Sequence, residues 1–297
     1  MIVAEPPKIG YIGLPKKIKG DSKISLDSPT EFLKILNDSV SYNAELGINF
    51  MCLDLTEFVN VDFIKNFDFD EEDPNVSKIL GQIHQNLNLR KTRVSVIVQK
   101  DYFLGSQLEG VPEEASLILE GLGKIMDLIG QRGRSIIVRI GSAYGNRKST
   151  MASFVERYLN LSESCRKKIC LVNDEKPSLF SVTDLLTGCY YKASIPICFR
   201  FLGHLFNDGG LTVREALFLS CSTWKVGSNP ILIHAESIEE DSSGFPSSTH
   251  PSGRITKRIP TFGLSLDILI DSPEKENCCI NYIREAKALP PIVFNKR

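Results

Sequence analysis

Short runs in which nearly every position is apolar, many of them β-branched, recur along the chain. They cover residues 9–14 (IGYIGL), 48–55 (INFMCLDL), 93–99 (RVSVIVQ), 135–141 (SIIVRIG), 168–174 (KICLVND), 194–201 (SIPICFRF), 229–237 (NPILIHAES) and 264–272 (LSLDILIDS). A strand with no apolar–polar alternation is buried on both faces, as strands are in a parallel sheet covered by helices. Amphipathic, helix-length segments lie between the runs. One is SPTEFLKILNDSVSYNAELG, with Ser28 as N-cap and Glu31 three residues on; another is TVREALFLSCSTW, opened by Thr212 with Glu215 at the capping-box position. Repeated strand–helix alternation over this length predicts an α/β chain folded as a (β/α)8 TIM barrel. The expected organisation is a single domain over 1–297, with a core of about 8–285 and a C-terminal tail over 286–297. An open doubly wound sheet is the alternative.

The connecting segments are uneven. Segment 56–73 ends in an acidic run, DFDEED, which reads as a solvated face. Segment 238–262 is rich in Ser, Gly and Pro, ends in a basic cluster and contains no clear helix. A loop of that length inside a compact domain is usually functional or mobile. The formal net charge of -1 gives no global attraction to nucleic acid, so any such binding needs a local basic patch. The opening residues MIVAEPPKIG lack the basic start and apolar run of a signal peptide, and no apolar stretch is long enough for a membrane span. The eight cysteines include no CxxC pair, and several sit inside apolar runs, where a thiol behaves as a small core residue. Free thiols point to an intracellular, reducing compartment such as cytosol, nucleus or a virus factory.

In a (β/α)8 barrel, chemistry sits where strands end at their C-termini. Those ends are Asp54, Gln99, Arg139, Asn173 with Asp174, Arg200, His234 and Asp271. This is a polar mouth, but Arg139 and Arg200 carry the wrong charge to bind a metal cation. The stretch GSAYGNRKST imitates a phosphate-binding loop, yet Gly145 is not adjacent to Lys148, so the Walker spacing fails.

The order of several short motifs resembles the UV-damage endonuclease family, metal-dependent barrel nucleases that nick DNA beside lesions and are related in fold to endonuclease IV. The motifs are GSAYG at 141–145 with FVERY downstream, LVNDE at 171–175, IPICFRFLGHLFN at 195–207, EALFLSCSTW, PILIHAES and THPS. The resemblance implies three metal ions held by histidines and carboxylates at the strand ends. At the implied ligand positions this chain carries Ile97, Arg139, Val172, Arg200 and Gly203; it keeps His234 and His250, and has Asp271 where the family has a glutamate. A guanidinium about 4 Å from a divalent ion is repelled by ~8 kcal/mol at an effective dielectric constant of 20. Two such replacements in a depleted ligand set argue that the three-metal site is lost.

Each remaining group has two readings. Arg139 and Arg200 either plug the mouth by pairing with Asp54, Asp174 or Asp271, or form an anion pocket for a phosphate. His234, His250 and Asp271 either hold at most one residual divalent ion, zinc or manganese, or are inherited polar residues. No other cofactor is expected. His204 reads as a loop residue and His84 as a helix-surface one. The resemblance assigns Tyr11, and with it Tyr102, to wedging into a duplex; packing is the plain alternative. Lys16 and Lys17 (with Lys19 and Lys23), and Arg254, Lys257 and Arg258, either follow a DNA backbone or are solvated loop cations. The functional expectation is a UV-damage endonuclease-like protein without catalysis, acting as a DNA-binding or structural assembly component. An active nuclease with a reduced metal site is the alternative, and a barrel binding a phosphorylated small ligand is a third.

Overall fold

The structure, a computed structural model, describes residues 7–19, 28–54, 61–65, 73–98, 103–131, 133, 135–143 and 145–292. Its strands are β1 (Ile9–Ile12), β2 (Phe50–Leu53), β3 (Arg93–Val98), β4 (Ile136–Val138), β5 (Ile169–Val172), β6 (Ile197–Arg200), β7 (Ile231–His234) and β8 (Asp267–Ile270). Each falls inside one of the apolar runs. All neighbouring pairs are parallel, and β8 returns to β1, so the sheet closes into an eight-stranded barrel. The closed architecture read from the sequence is the one observed, and the open sheet is excluded.

The helices are α1 (Lys16–Lys19), α2 (Pro29–Glu45), α3 (Val61–Lys65), α4 (Pro74–Arg90), α5 (Val111–Leu128), α6 (Arg147–Asn160), α7 (Glu163–Lys168) and α8 (Val182–Leu185). A π-turn over Leu186–Tyr190 leads to α9 (Tyr191–Ala193), and α10 (Phe201–Phe206), α11 (Val213–Ser222) and α12 (Lys275–Glu285) complete the ring. The capping box at Thr212 forms: its hydroxyl accepts from the Glu215 N–H at 3.3 Å, and Glu215 accepts from the Thr212 N–H at 2.8 Å. Ser28 is the N-cap of α2 but its side chain makes no capping bond; Pro29 opens the helix instead, where its missing N–H costs nothing.

Strand alternation separates two packed layers. Ile12, Phe50, Cys52, Ile97, Ile137, Cys170, Val172, Cys198, Ile231, Ile233 and Leu269 fill the barrel interior. The intervening residues, such as Val96, Val138, Leu171, Phe199, Leu232 and Ile270, pack outward against the helices. Gly10 is required where β1 meets β2, since a Cβ there would lie 1.8 Å from the Phe50 carbonyl oxygen. Of the eight cysteines all are free thiols and seven are buried, as the apolar runs imply.

Segment 238–262 has no helix and is held by isolated bridges, Ser237 to Pro251 and Glu240 to Pro246. Within the expected tail, Pro290 and Ile292 bond the backbone of Arg258, so residues 286–292 pack back onto the barrel. Among the described residues no helix is long and apolar enough to cross a membrane.

Candidate functional site at the barrel mouth

Arg139 follows β4 by one residue and Arg200 ends β6. Their inward neighbours two residues earlier, Ile137 and Cys198, are in the barrel interior, so both arginines project into the mouth. Arg139 donates to Asp174 at 3.0 Å and pairs with Glu175 at 3.2 Å. Arg200 pairs with the same Glu175 at 3.1 Å and with Asp271 at 3.1 Å. The result is a continuous ion-pair chain, Asp174–Arg139–Glu175–Arg200–Asp271, that ties together the ends of β4, β5, β6 and β8. Asn173 clamps β5 to β6 beneath it, accepting from the Arg200 N–H at 2.7 Å and donating to the Arg200 carbonyl at 3.1 Å. Asp174 itself is fixed by its N–H bond to the Phe180 carbonyl at 2.9 Å.

Burial pushes the Asp174 carboxyl up to about 6, even though Arg139 lies beside it and Arg200 also favours its charge. The second oxygen, Oδ2, is buried with no partner among the described residues, and one guanidinium does not offset that desolvation. Burial also acts to raise Glu175, but Arg139 and Arg200 together outweigh it and hold that carboxyl below the usual range. Glu175 is therefore the firm anion of the network. It was not among the partners expected for the arginines, although it stands in the LVNDE motif; its strand position alone does not show that it bridges both cations.

The three retained ligand candidates are not brought together. His234 lies on the outer face of β7, between the rings of Phe201 (5.8 Å) and Tyr282 (5.7 Å), and its Nε2 donates to the Lys257 carbonyl at 3.3 Å. Burial lowers it to about 4, only partly offset by that bond. His250 is exposed on the long loop, with Nδ1 3.2 Å from the Ser248 hydroxyl. Asp271 is engaged by Arg200. The residual His234–His250–Asp271 metal set is thus corrected: alternation points His234 away from the mouth and the loop carries His250 elsewhere. Among the described residues no group of three or more His, Cys, Asp or Glu is placed to hold a metal ion.

Ile97 and Val172 are buried in the barrel interior. Gly203 lies on α10, where an added Cβ would sit 3.4 Å from the Asn173 side chain, in ordinary contact with the mouth. His204, expected in a loop, is instead buried on α10 with its ring 5.3 Å from Phe199. His84 is on α4, half-buried, and donates to the Leu128 carbonyl. Asp54 is buried at the end of β2.

Tyr11 also requires correction. It is fully buried on the outer face of β1, and its hydroxyl donates to Asn43 at 2.9 Å, so it cannot enter a duplex. Tyr102, Gln99 and Lys23 lie outside the described residues. Of the basic residues, Lys16 pairs with Glu274 at 2.8 Å and Lys257 with Glu240 at 2.9 Å. Lys17 lies over the Tyr42 ring, 4.9 Å from its centre. Arg254 and Arg258 are exposed.

A closed parallel barrel with its polar cluster at the C-terminal strand ends places this protein in the architecture shared by several barrel nucleases and sugar epimerases. Its fold is similar to the crystal structure of SacUVDE, with a TM-score of 0.76 at 20% identity over 95% of this chain and 98% of that one. It is also similar to endonuclease IV from Thermus thermophilus, with a TM-score of 0.62 at 12% identity, covering 95% and 98%. The chain belongs to the UV-endonuclease UvdE family, whose sequence profile matches residues 21–293. A candidate UV-damage endonuclease of Acanthamoeba polyphaga mimivirus is 23% identical over 82% of this chain and 75% of its own. The UV DNA damage endonuclease of Clostridium perfringens is 28% identical over 50% of this chain, a match spanning 37% of that enzyme's length.

Proposed function

We propose that this chain is a non-catalytic member of the UvdE family, retained inside the cell as a DNA-binding or structural assembly component. The observation that carries the reading is the ion-pair chain through Arg139 and Arg200, at positions where the resemblance implies metal ligands. The residues present do not fit the family's metal cluster. Two guanidiniums already bind the acids that would have to serve as ligands, and repulsion between a guanidinium and a divalent ion is several kcal/mol at such range. Neither histidine faces the cluster. The mouth also fits a phosphorylated ligand poorly, because three carboxylates surround its two guanidiniums.

The family's substrate makes duplex DNA the first partner to test, with Lys17, Arg254 and Arg258 the candidate contacts. An Arg254→Glu/Arg258→Glu variant should weaken duplex binding and reduce its salt slope by roughly 1 per lost phosphate contact. Fluorescence anisotropy at several salt concentrations reads this. Binding that is absent, or unchanged in the variant, would leave the assembly role and remove the DNA contacts. Catalysis is tested with UV-irradiated plasmid. The purified chain should not nick it with manganese or magnesium, and metal-dependent incision abolished by Asp271→Asn would establish the alternative, an active nuclease with a reduced metal site.

A further inference from the structure

At the N-terminal pole of the barrel, across the molecule from the mouth, helices end and strands begin. Trp224 closes the barrel there, its Nε1 donating to the Ile197 carbonyl at 2.8 Å. The three most exposed large apolar side chains among the described residues all stand in the helix ends and turns of this pole: Val226 at 96%, Leu89 at 72% and Tyr191 at 71%. Single exposed apolar residues are ordinary, but each of these is next in the chain to an exposed cation. Leu89 precedes Arg90 and Lys91, Tyr191 precedes Lys192, and Val226 follows Lys225. None of these cations forms an ion pair among the described residues. Of the acids at this pole, Asp127, Glu163 and Asp267 are held by Lys168, Lys167 and Arg93. Glu45 and Glu285 remain exposed at the ends of α2 and α12, with Lys287 near the latter, so the rim is cationic. Two of the turns present these tips directly. Ser228 donates its N–H to the Lys225 carbonyl at 3.1 Å, closing a turn with Val226 at its apex and Gly227 at φ 86°. Lys91 ends α4 with φ 50°, a left-handed position where glycine is usual. Thr92 and Gly227 line one cavity, which brings the two turns to a common rim.

We infer that this pole docks on an anionic lipid bilayer, with Leu89, Tyr191 and Val226 entering the headgroup region and Arg90, Lys91, Lys192 and Lys225 meeting the lipid charges. The tips come from the segments leading into β3, β6 and β7 and are spread around the pole, so a flat partner meets all of them at once. Leu89 and Val226 offer no ring on which a base could stack, which disfavours nucleic acid. Basic residues near an anionic leaflet each favour binding, and apolar side chains add to it when they pass the headgroups. No helix of the described residues is long and apolar enough to cross a membrane, so the docking is peripheral. The face lies across the barrel from the arginine-filled mouth and stands independently of the non-catalytic reading.

Vesicle flotation of the full chain tests it. The chain should float with vesicles of equal parts phosphatidylcholine and phosphatidylglycerol and not with phosphatidylcholine alone, and added salt should weaken the binding. Arg90→Gln/Lys91→Gln should reduce the affinity about 25-fold, each cation near the surface contributing about fivefold. Leu89→Ser and Val226→Ser should each reduce it about tenfold through lost apolar burial. All these positions are exposed, so the variants should melt with the unaltered chain, which separates lost binding from lost fold. Lys148→Gln, at the start of α6 on the mouth side, should float like the unaltered chain. The inference is overturned by no flotation with the anionic vesicles, by equal flotation in the charge variant or in both serine variants, or by its loss in Lys148→Gln. Duplex DNA bound without any flotation, and weakened by the charge variant but not by the serine variants, would assign the pole to nucleic acid and overturn it as well.

Discussion

Replacing Arg200 by aspartate, the residue the family resemblance implies there, destabilises the protein by about 3–5 kcal/mol rather than restoring activity. Arg200 is 14% exposed and bridges Glu175 to Asp271 in the ion-pair chain. An aspartate in its place adds a third acid to that corner of the mouth and leaves Glu175 with Arg139 alone. For a chain of this length the loss corresponds to roughly 5–8 °C in melting temperature. Arg139→His should act in the same direction, because Asp174 then loses the guanidinium bonded to it. The two arginines share Glu175, so the double variant should depart from additivity. Thermal melts of the single and double variants measure both effects; unchanged melting temperatures would mean the arginines contribute nothing to the mouth.

Stability should respond to pH through two buried groups of opposite sign. Asp174 is raised to about 6, so its favourable neutral form is present below the unfolded carboxyl range and lost as pH rises through about 6. That favours folding by about 2 kcal/mol more at pH 4 than at pH 7, a tenfold change in proton affinity being worth about 1.36 kcal/mol and the unfolded carboxyl being already part-protonated at pH 4. His234 is lowered to about 4, so its contribution is present above the unfolded imidazole value and lost as pH falls through about 4. Its magnitude is about 3 kcal/mol. The two nearly cancel between pH 4 and 6.5 in the unaltered chain, with His204, also lowered by burial, adding to the histidine side. Asp174→Asn should therefore uncover stability that rises with pH across this window, and His234→Gln stability that falls. Urea denaturation at several pH values reads the slopes. Parallel profiles for the two variants would refute the assignment.

The fold is legible because every strand is a predominantly apolar run, its polar residues mostly at the ends, and each strand falls within the run that predicts it. The positions of Arg139, Arg200 and Asp271 at one rim were legible for the same reason, since strand ends fix the mouth. What the pattern does not carry is the direction of a side chain at a strand's last residue. His234 and Arg200 both end their strands, but only Arg200 continues the inward set. Tyr11 differs from its expected place in the same way: it stands on β1 but on the helix-facing side, where Asn43 of α2 receives its hydroxyl. The role of Glu175 is not local either, because it depends on two cations from different strands meeting at one carboxylate. The Arg93–Asp267 pair joins residues far apart in sequence at the barrel's other end, and no local spacing announces it.

The central claim is that guanidiniums rather than metal ions organise the mouth. Crystals grown with manganese and measured at a wavelength where manganese scatters anomalously test it directly. The account predicts Arg139 and Arg200 bridging Asp174, Glu175 and Asp271 with no anomalous peak among them; a manganese peak bound by these carboxylates, with the arginines displaced, would contradict it.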